Sequence, residues 1–172
     1  MAKGGWTFHQ HAQDAQLEDQ ELFGLLGAGD TTWDVVVFQE QSQIPGFHPY
    51  DAPDWDLSLA AAPALDALAV AAGAETVFMM TWGRRDGDAM NPVIFPDYPS
   101  MQALLAEGYA LYAAATSTPA RQTWVAPVGM TWQAVWNAAS AGGQDPLDAQ
   151  ALFSRLYSGD GSHPSQLGSY LM

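Results

Sequence analysis

The chain of 172 residues contains no cysteine. Disulfide frameworks, thiolate nucleophiles and cysteine-ligated metals are excluded, and the redox compartment is left open. Cations are scarce as well. Five Lys+Arg stand against 19 Asp+Glu, a formal net charge of −14. A phosphate backbone needs a basic surface that five cations hardly build, so nucleic acid is not an expected partner. Long apolar runs are missing. No stretch reaches the roughly 20 residues that span a bilayer, and the N-terminus lacks the pattern of a signal peptide. A soluble chain with no membrane partner is expected, in a compartment the sequence does not name. There is no internal repeat and no low-complexity tail.

What is present is a globular composition, 48% hydrophobic with seven Trp. It predicts one domain over residues 1–172 with its own core. Thr7 stands where it would cap a helix predicted from Phe8 to Leu26, ended by Gly27-Ala28-Gly29-Asp30. The β-branched run Trp33–Gln39 reads as a strand buried on both faces, followed by buried strands over Thr76–Trp82 and Thr123–Val128. Further helices are predicted over 56–72, with Pro63 as a point of disturbance, and over 98–115, 130–139 and 148–156. Strand–helix alternation predicts a parallel sheet covered by helices, with chemistry gathered in the loops at the strands' carboxyl ends. Those loops hold Gln39-Glu40-Gln41-Ser42, Trp82-Gly83-Arg84-Arg85-Asp86 and Pro127-Val128-Gly129.

The late stretch Gly159-Asp160-Gly161-Ser162-His163-Pro164-Ser165 carries the sharpest chemistry. Asp160 and His163, three residues apart, meet across one turn, so the acid can hold the imidazole's tautomer and make it a general base. The plainer reading is a turn that caps a final helix with Pro164 at its first position. Arg84 and Arg85 read either as a clamp for an anion such as phosphate or as surface partners of Asp86 and Asp88. His9 and His11 point the same way if extended and apart if helical; they are either metal ligands or two solvated histidines. Ser42 is a candidate substitute nucleophile. Trp82 lines a pocket or joins Trp124, Trp132 and Trp136 in the core.

Five stretches occur in order: Gly4-Gly5-Trp6-Thr7 followed by His11, Val35 to Gln43, Thr81 to Gly87, Val125 to Gly129, and Asp160 to Ser165. The set resembles the SGNH (GDSL-like) hydrolase superfamily, in a branch with Gln-Glu-Gln after its second core strand, and covers most of the chain. The resemblance implies an α/β fold with a flavodoxin-like three-layer core. It implies that Asp160 and His163 serve a Ser-His-Asp arrangement, with Gly4 or Gly5 and Gln39 or Gln41 at the oxyanion hole. The family's Gly-Asp/Asn-Ser block has no counterpart here. A core truncated at both ends is therefore expected, with about three strands per chain, completed by a homodimer over the exposed edge of strand 35–38.

The expected function is hydrolysis of a small-molecule carboxylester or phosphoester. His163, oriented by Asp160, is expected to act as base on water, or to join His9, His11 and Asp160 as ligands of a divalent metal (Zn or Mn) that activates water. Asp14 and Glu40 are outer candidates for that metal, and Arg84 and Arg85 for the substrate anion. Two alternatives stand beside this: an inactive SGNH-like module that holds a ligand such as a carbohydrate, and part of a serine esterase.

Overall fold

Three short runs of β-forming residues pair in parallel. They are β1 (Val35–Phe38), β2 (Glu75–Met79) and β3 (Trp124–Ala126), in the order β1-β2-β3. This is a computed structural model, and it describes residues 3–18, 21–27 and 32–172. Val35 lies opposite Glu75, Phe38 opposite Phe78, and Val77 opposite Trp124. Parallel neighbours cannot be joined by a tight turn, so helices make the crossovers. These are α2 (Pro53–Ala71) between β1 and β2, and α3 (Tyr98–Thr116) between β2 and β3. The fold is α/β, a three-stranded parallel sheet flanked by helices. Among the described residues, no helix is long and apolar enough to cross a membrane.

The helical elements depart from expectation at two places. The helix predicted over 8–26 ends at Asp14 as α1 (Phe8–Asp14), and a separate π-helical turn covers Phe23–Gly27. Between Gln16 and Glu21 only Leu17 is apolar, and it is 53% exposed, which leaves too few apolar positions there to hold a helix against a core. Residues 28–30 of the predicted terminator lie outside the described residues. Pro63 does not disturb α2, which runs through it with the ring on the exposed side. The later helices are α4 (Val128–Ala141), α5 (Leu152–Arg155) and α6 (Gln166–Tyr170).

The chain divides into two compact units, Met1–Met79 with Glu107–Ala126, and Met80–Ala106 with Pro127–Met172. The first contains the sheet. Side chains alternate along a strand, so Phe38, Thr76 and Phe78 share one face, and all three are buried. Phe8 of α1 and Tyr112 of α3 pack against Phe78 with ring centroids 5.6 and 5.7 Å away, and Trp55 of α2 lies 5.0 Å from Tyr112. The opposite face is open: Val35, Val37 and Trp124 are 48%, 56% and 55% exposed. This corrects the expectation that β1 is buried on both faces. A run of four apolar residues cannot tell one covered face from two, and the helices of this unit crowd a single face.

The second unit is an aromatic stack. Trp132 of α4 is fully buried; Trp82 stacks on it at 4.5 Å, and Tyr157 meets it edge-on at 4.6 Å. Phe153 of α5 joins Tyr98 at 4.5 Å and Trp136 at 4.8 Å. Gly129, in the first turn of α4, must be glycine. A Cβ there would stand 2.2 Å from the Thr81 carbonyl and 2.5 Å from the Gln102 amide.

Candidate active site

The turn after α5 is built by its own backbone. Tyr157 bridges Pro164, the Ser158 N–H donates to the His163 carbonyl (2.9 Å), and the Ser165 N–H donates to the Leu156 carbonyl (2.8 Å). Gly161 takes φ +67°, a left-handed conformation that a side chain would strain. The geometry brings Asp160 beneath His163. One carboxylate oxygen, Oδ2, accepts from His163 Nδ1 at 2.7 Å. The other, Oδ1, accepts from the Ser158 hydroxyl (2.8 Å) and from the backbone N–H groups of Ser162 and His163 (both 2.9 Å). The His163 bond most of all, then the two amides and the hydroxyl, hold the Asp160 carboxyl well below the usual carboxylate range. The acid is thus ionised and spatially fixed, as an orienting partner must be.

The imidazole itself is 80% exposed. With Nδ1 committed to Asp160, Nε2 faces outward as a proton acceptor. Among the described residues no serine or threonine hydroxyl is hydrogen-bonded to it. The turn also caps α6, where the Ser165 hydroxyl accepts the Gly168 N–H at 3.1 Å. Ser165 is the N-cap, so Pro164 lies one residue before it and not at the helix's first position, and neither Asp160 nor His163 takes part in the cap.

A cleft of about 290 Å³ lies on the Asp160 side of the turn, lined among others by Arg84, Asp86, Asp88, Phe95, Asp160 and Ser162. Arg84, which lines it, and the adjacent Arg85 are each bonded to an acid. Arg84 Nη1 donates to Asp88 at 2.5 Å, while Arg85 grips Asp86 through Nε and Nη2 at 2.9 and 2.7 Å. The Asp86 bond raises the Arg85 pKa further.

This chain matches in fold a solved protein described as a putative SGNH hydrolase from Slackia heliotrinireducens. The TM-score is 0.67 at 26% sequence identity, over 98% of this chain and 76% of that one. The fold is SGNH-like. No family model matches the sequence, and no curated protein matches it significantly.

The other residues singled out in the sequence belong to the first unit of this SGNH-like fold. His9 and His11 both lie within α1, where residues two apart project to different sides. His11 rests against the Trp6 ring at 5.2 Å, and partial burial lowers its pKa. Asp14 is buried and paired with Lys3 at 3.0 Å. Among the described residues, no three His, Asp or Glu side chains converge as a metal site. Gly5, like the side chain of Gln39, is exposed. Gln41 turns its amide inward on Gln43 (2.6 Å) and accepts the Gln43 N–H in return (2.8 Å). Ser42 is half-buried in the following turn.

The sequence reading missed the role of Glu40. It is 1% exposed and joins three segments of the first unit. Its two oxygens lie 3.1 and 3.0 Å from the Phe8 N–H, the first free amide of α1, and Oε1 also accepts the Gln41 N–H at 2.6 Å. Ser58 of α2 donates to Oε2 and is bonded to the Tyr112 hydroxyl at 2.7 Å. Burial pushes the Glu40 carboxyl up to about 7, against the pull of these donors. One signal was available: an acid immediately after an apolar strand is either solvated or buried with several donors.

Proposed function

We propose that the chain is an ester-bond hydrolase in which His163, held by Asp160, acts as general base. The observation that carries this reading is the 2.7 Å bond from Nδ1 to a carboxylate kept ionised by three further donors, with Nε2 left exposed. An SGNH-like fold shared with a protein described as a hydrolase supports the same chemistry. In this reading Nε2 takes a proton from an attacking water as its oxygen bonds to the ester carbon. The imidazolium then returns that proton to the departing alkoxide, and acid and alcohol leave. Asp160 stabilises the imidazolium in between without taking the proton itself.

Carboxylesters fit better than phosphoesters. A phosphoryl group needs cations free to meet its charge, and Arg84 and Arg85 are already bonded to Asp88 and Asp86. The test is hydrolysis of p-nitrophenyl acetate beside a p-nitrophenyl phosphodiester, in wild type and His163→Ala. Acetate turnover that falls roughly 10²-fold or more in the variant supports the reading. Equal rates in both proteins would remove His163 from the chemistry.

A further inference from the structure

We infer that Trp82 is the positioning residue of His163, acting through the peptide group between Ser162 and His163. That peptide is gripped at both ends. Its N–H, from His163, donates to Asp160 Oδ1 at 2.9 Å. Its carbonyl, from Ser162, accepts the indole N–H of Trp82 at 3.1 Å. Fixing both ends fixes the plane of the peptide, and with it the direction in which the His163 side chain leaves the backbone. This matters because the imidazole is 80% exposed and, among the described residues, its one side-chain anchor is Asp160. Asp160 belongs to the same small turn, so it cannot by itself anchor that turn to the rest of the unit.

Trp82 is suited to this task because it is immobile. It is nearly buried and lies flat on the fully buried Trp132, 4.5 Å away with 10° between the planes. The next residue along, Gly83, accepts the Tyr157 hydroxyl through its carbonyl at 2.6 Å, and Tyr157 packs edge-on against the same Trp132. Tyr157 directly precedes the turn. The segment 82–83 and the base of the turn are thus tied to one indole from two sides. The Arg85 N–H adds a bond to the Gly161 carbonyl at 2.8 Å, but that is a backbone contact open to any residue. The indole bond depends on side-chain identity. A buried tryptophan also needs a partner for its N–H, so satisfying that donor is the competing explanation for the contact. The two differ in consequence: a merely satisfied donor leaves the order of the turn unchanged when it is removed at constant packing.

Trp82→Phe deletes the N–H and keeps a ring on Trp132. The expected result is backbone amide exchange at His163 faster by about tenfold, the range of one lost hydrogen bond, with kcat lowered by a similar factor and KM within twofold. Trp136→Phe, which trims the same aromatic core away from the turn, is the reference for general loosening and should leave His163 exchange unchanged. If Trp82→Phe does not fold, benzothienylalanine at position 82 replaces the N–H by sulfur at constant shape. His163 exchange equal to wild type in the folded variant, or accelerated equally by Trp136→Phe, overturns the inference. The kinetic arm rests on the ester-hydrolase reading and the exchange arm does not. A wild type without turnover therefore sinks that reading, while amide exchange still decides the role of Trp82.

Discussion

Glu40 offers the perturbation whose size follows most directly from the structure. Its carboxyl is raised from 4.5 to about 7 by burial, with Asp54 adding a smaller push in the same direction. An acid whose folded pKa lies above its unfolded value binds its proton more tightly in the native state. Stability from this group is therefore fully present below pH 4.5 and falls as pH rises through about 7, beyond which the loss is complete. A rise of about 2.5, at about 1.4 kcal/mol per unit, corresponds to roughly 3 kcal/mol. Glu40→Gln removes the titration and keeps the shape. The Gln carbonyl takes over the Phe8 and Gln41 amides, its NH₂ donates to Ser58, and the Ser58 hydroxyl turns to donate to Tyr112. Urea unfolding of both proteins at pH 5 and pH 8.5 should give curves within about 1 kcal/mol of each other at the lower pH. At the higher pH the variant should be more stable by about 3 kcal/mol, which for a chain of this size is roughly 6–12 °C in Tm. A difference between the two proteins that does not change with pH would refute the account of Glu40 as a carboxyl whose burial raises its pKa.

Asp160→Asn should lower ester turnover by roughly 10²-fold or more with little change in KM, since it removes the partner of Nδ1 without touching Nε2; the kcat and KM of p-nitrophenyl acetate hydrolysis decide it. Gly129→Ala should cost about 1–3 kcal/mol, because the methyl meets the Thr81 carbonyl and the Gln102 amide, and an unchanged urea midpoint would contradict that packing. The outer edge of β1 and the apolar face bearing Val35, Val37 and Trp124 should draw two copies together, and light scattering that shows a monomer at 100 µM, on the order of a weak interface's Kd, would argue against it. Chelation should leave turnover intact if water is activated by His163 alone, whereas loss on chelation restored by Zn²⁺ or Mn²⁺ would bring His9 and His11 back as ligands.

Local spacing and local chemistry were legible from the sequence. An acid three residues before a histidine, with glycine between them, can reach it across one turn, and Asp160 and His163 meet in that way. The arginine pair found the neighbouring acids Asp86 and Asp88, since adjacent charges reach each other without help from the fold. Strand positions and the crossover helices followed from period and length. Features that depend on which distant segments meet were not legible. The resemblance put Gln39 or Gln41 at the oxyanion hole, and in the structure the Gln41 amide bonds Gln43 while the Gln39 side chain is exposed. His9 and His11 read as metal ligands if extended and as separate side chains if helical, and only the structure places both in α1. Trp82 could have been core or pocket, and it became the outside support of the histidine's peptide.

The sequence by itself determined the α/β alternation, the acidic charge balance and the meeting of Asp160 with His163, because each follows from composition or from spacing within a few residues. Tertiary structure alone decided which face of the sheet is covered, that Glu40 is buried among Phe8, Ser58 and Tyr112, and that Trp82 reaches the carbonyl before His163. Those outcomes rest on contacts across 32 residues for Glu40 with Phe8 and 80 for Trp82 with Ser162. Over such separations packing sets the partner, and no local pattern records it.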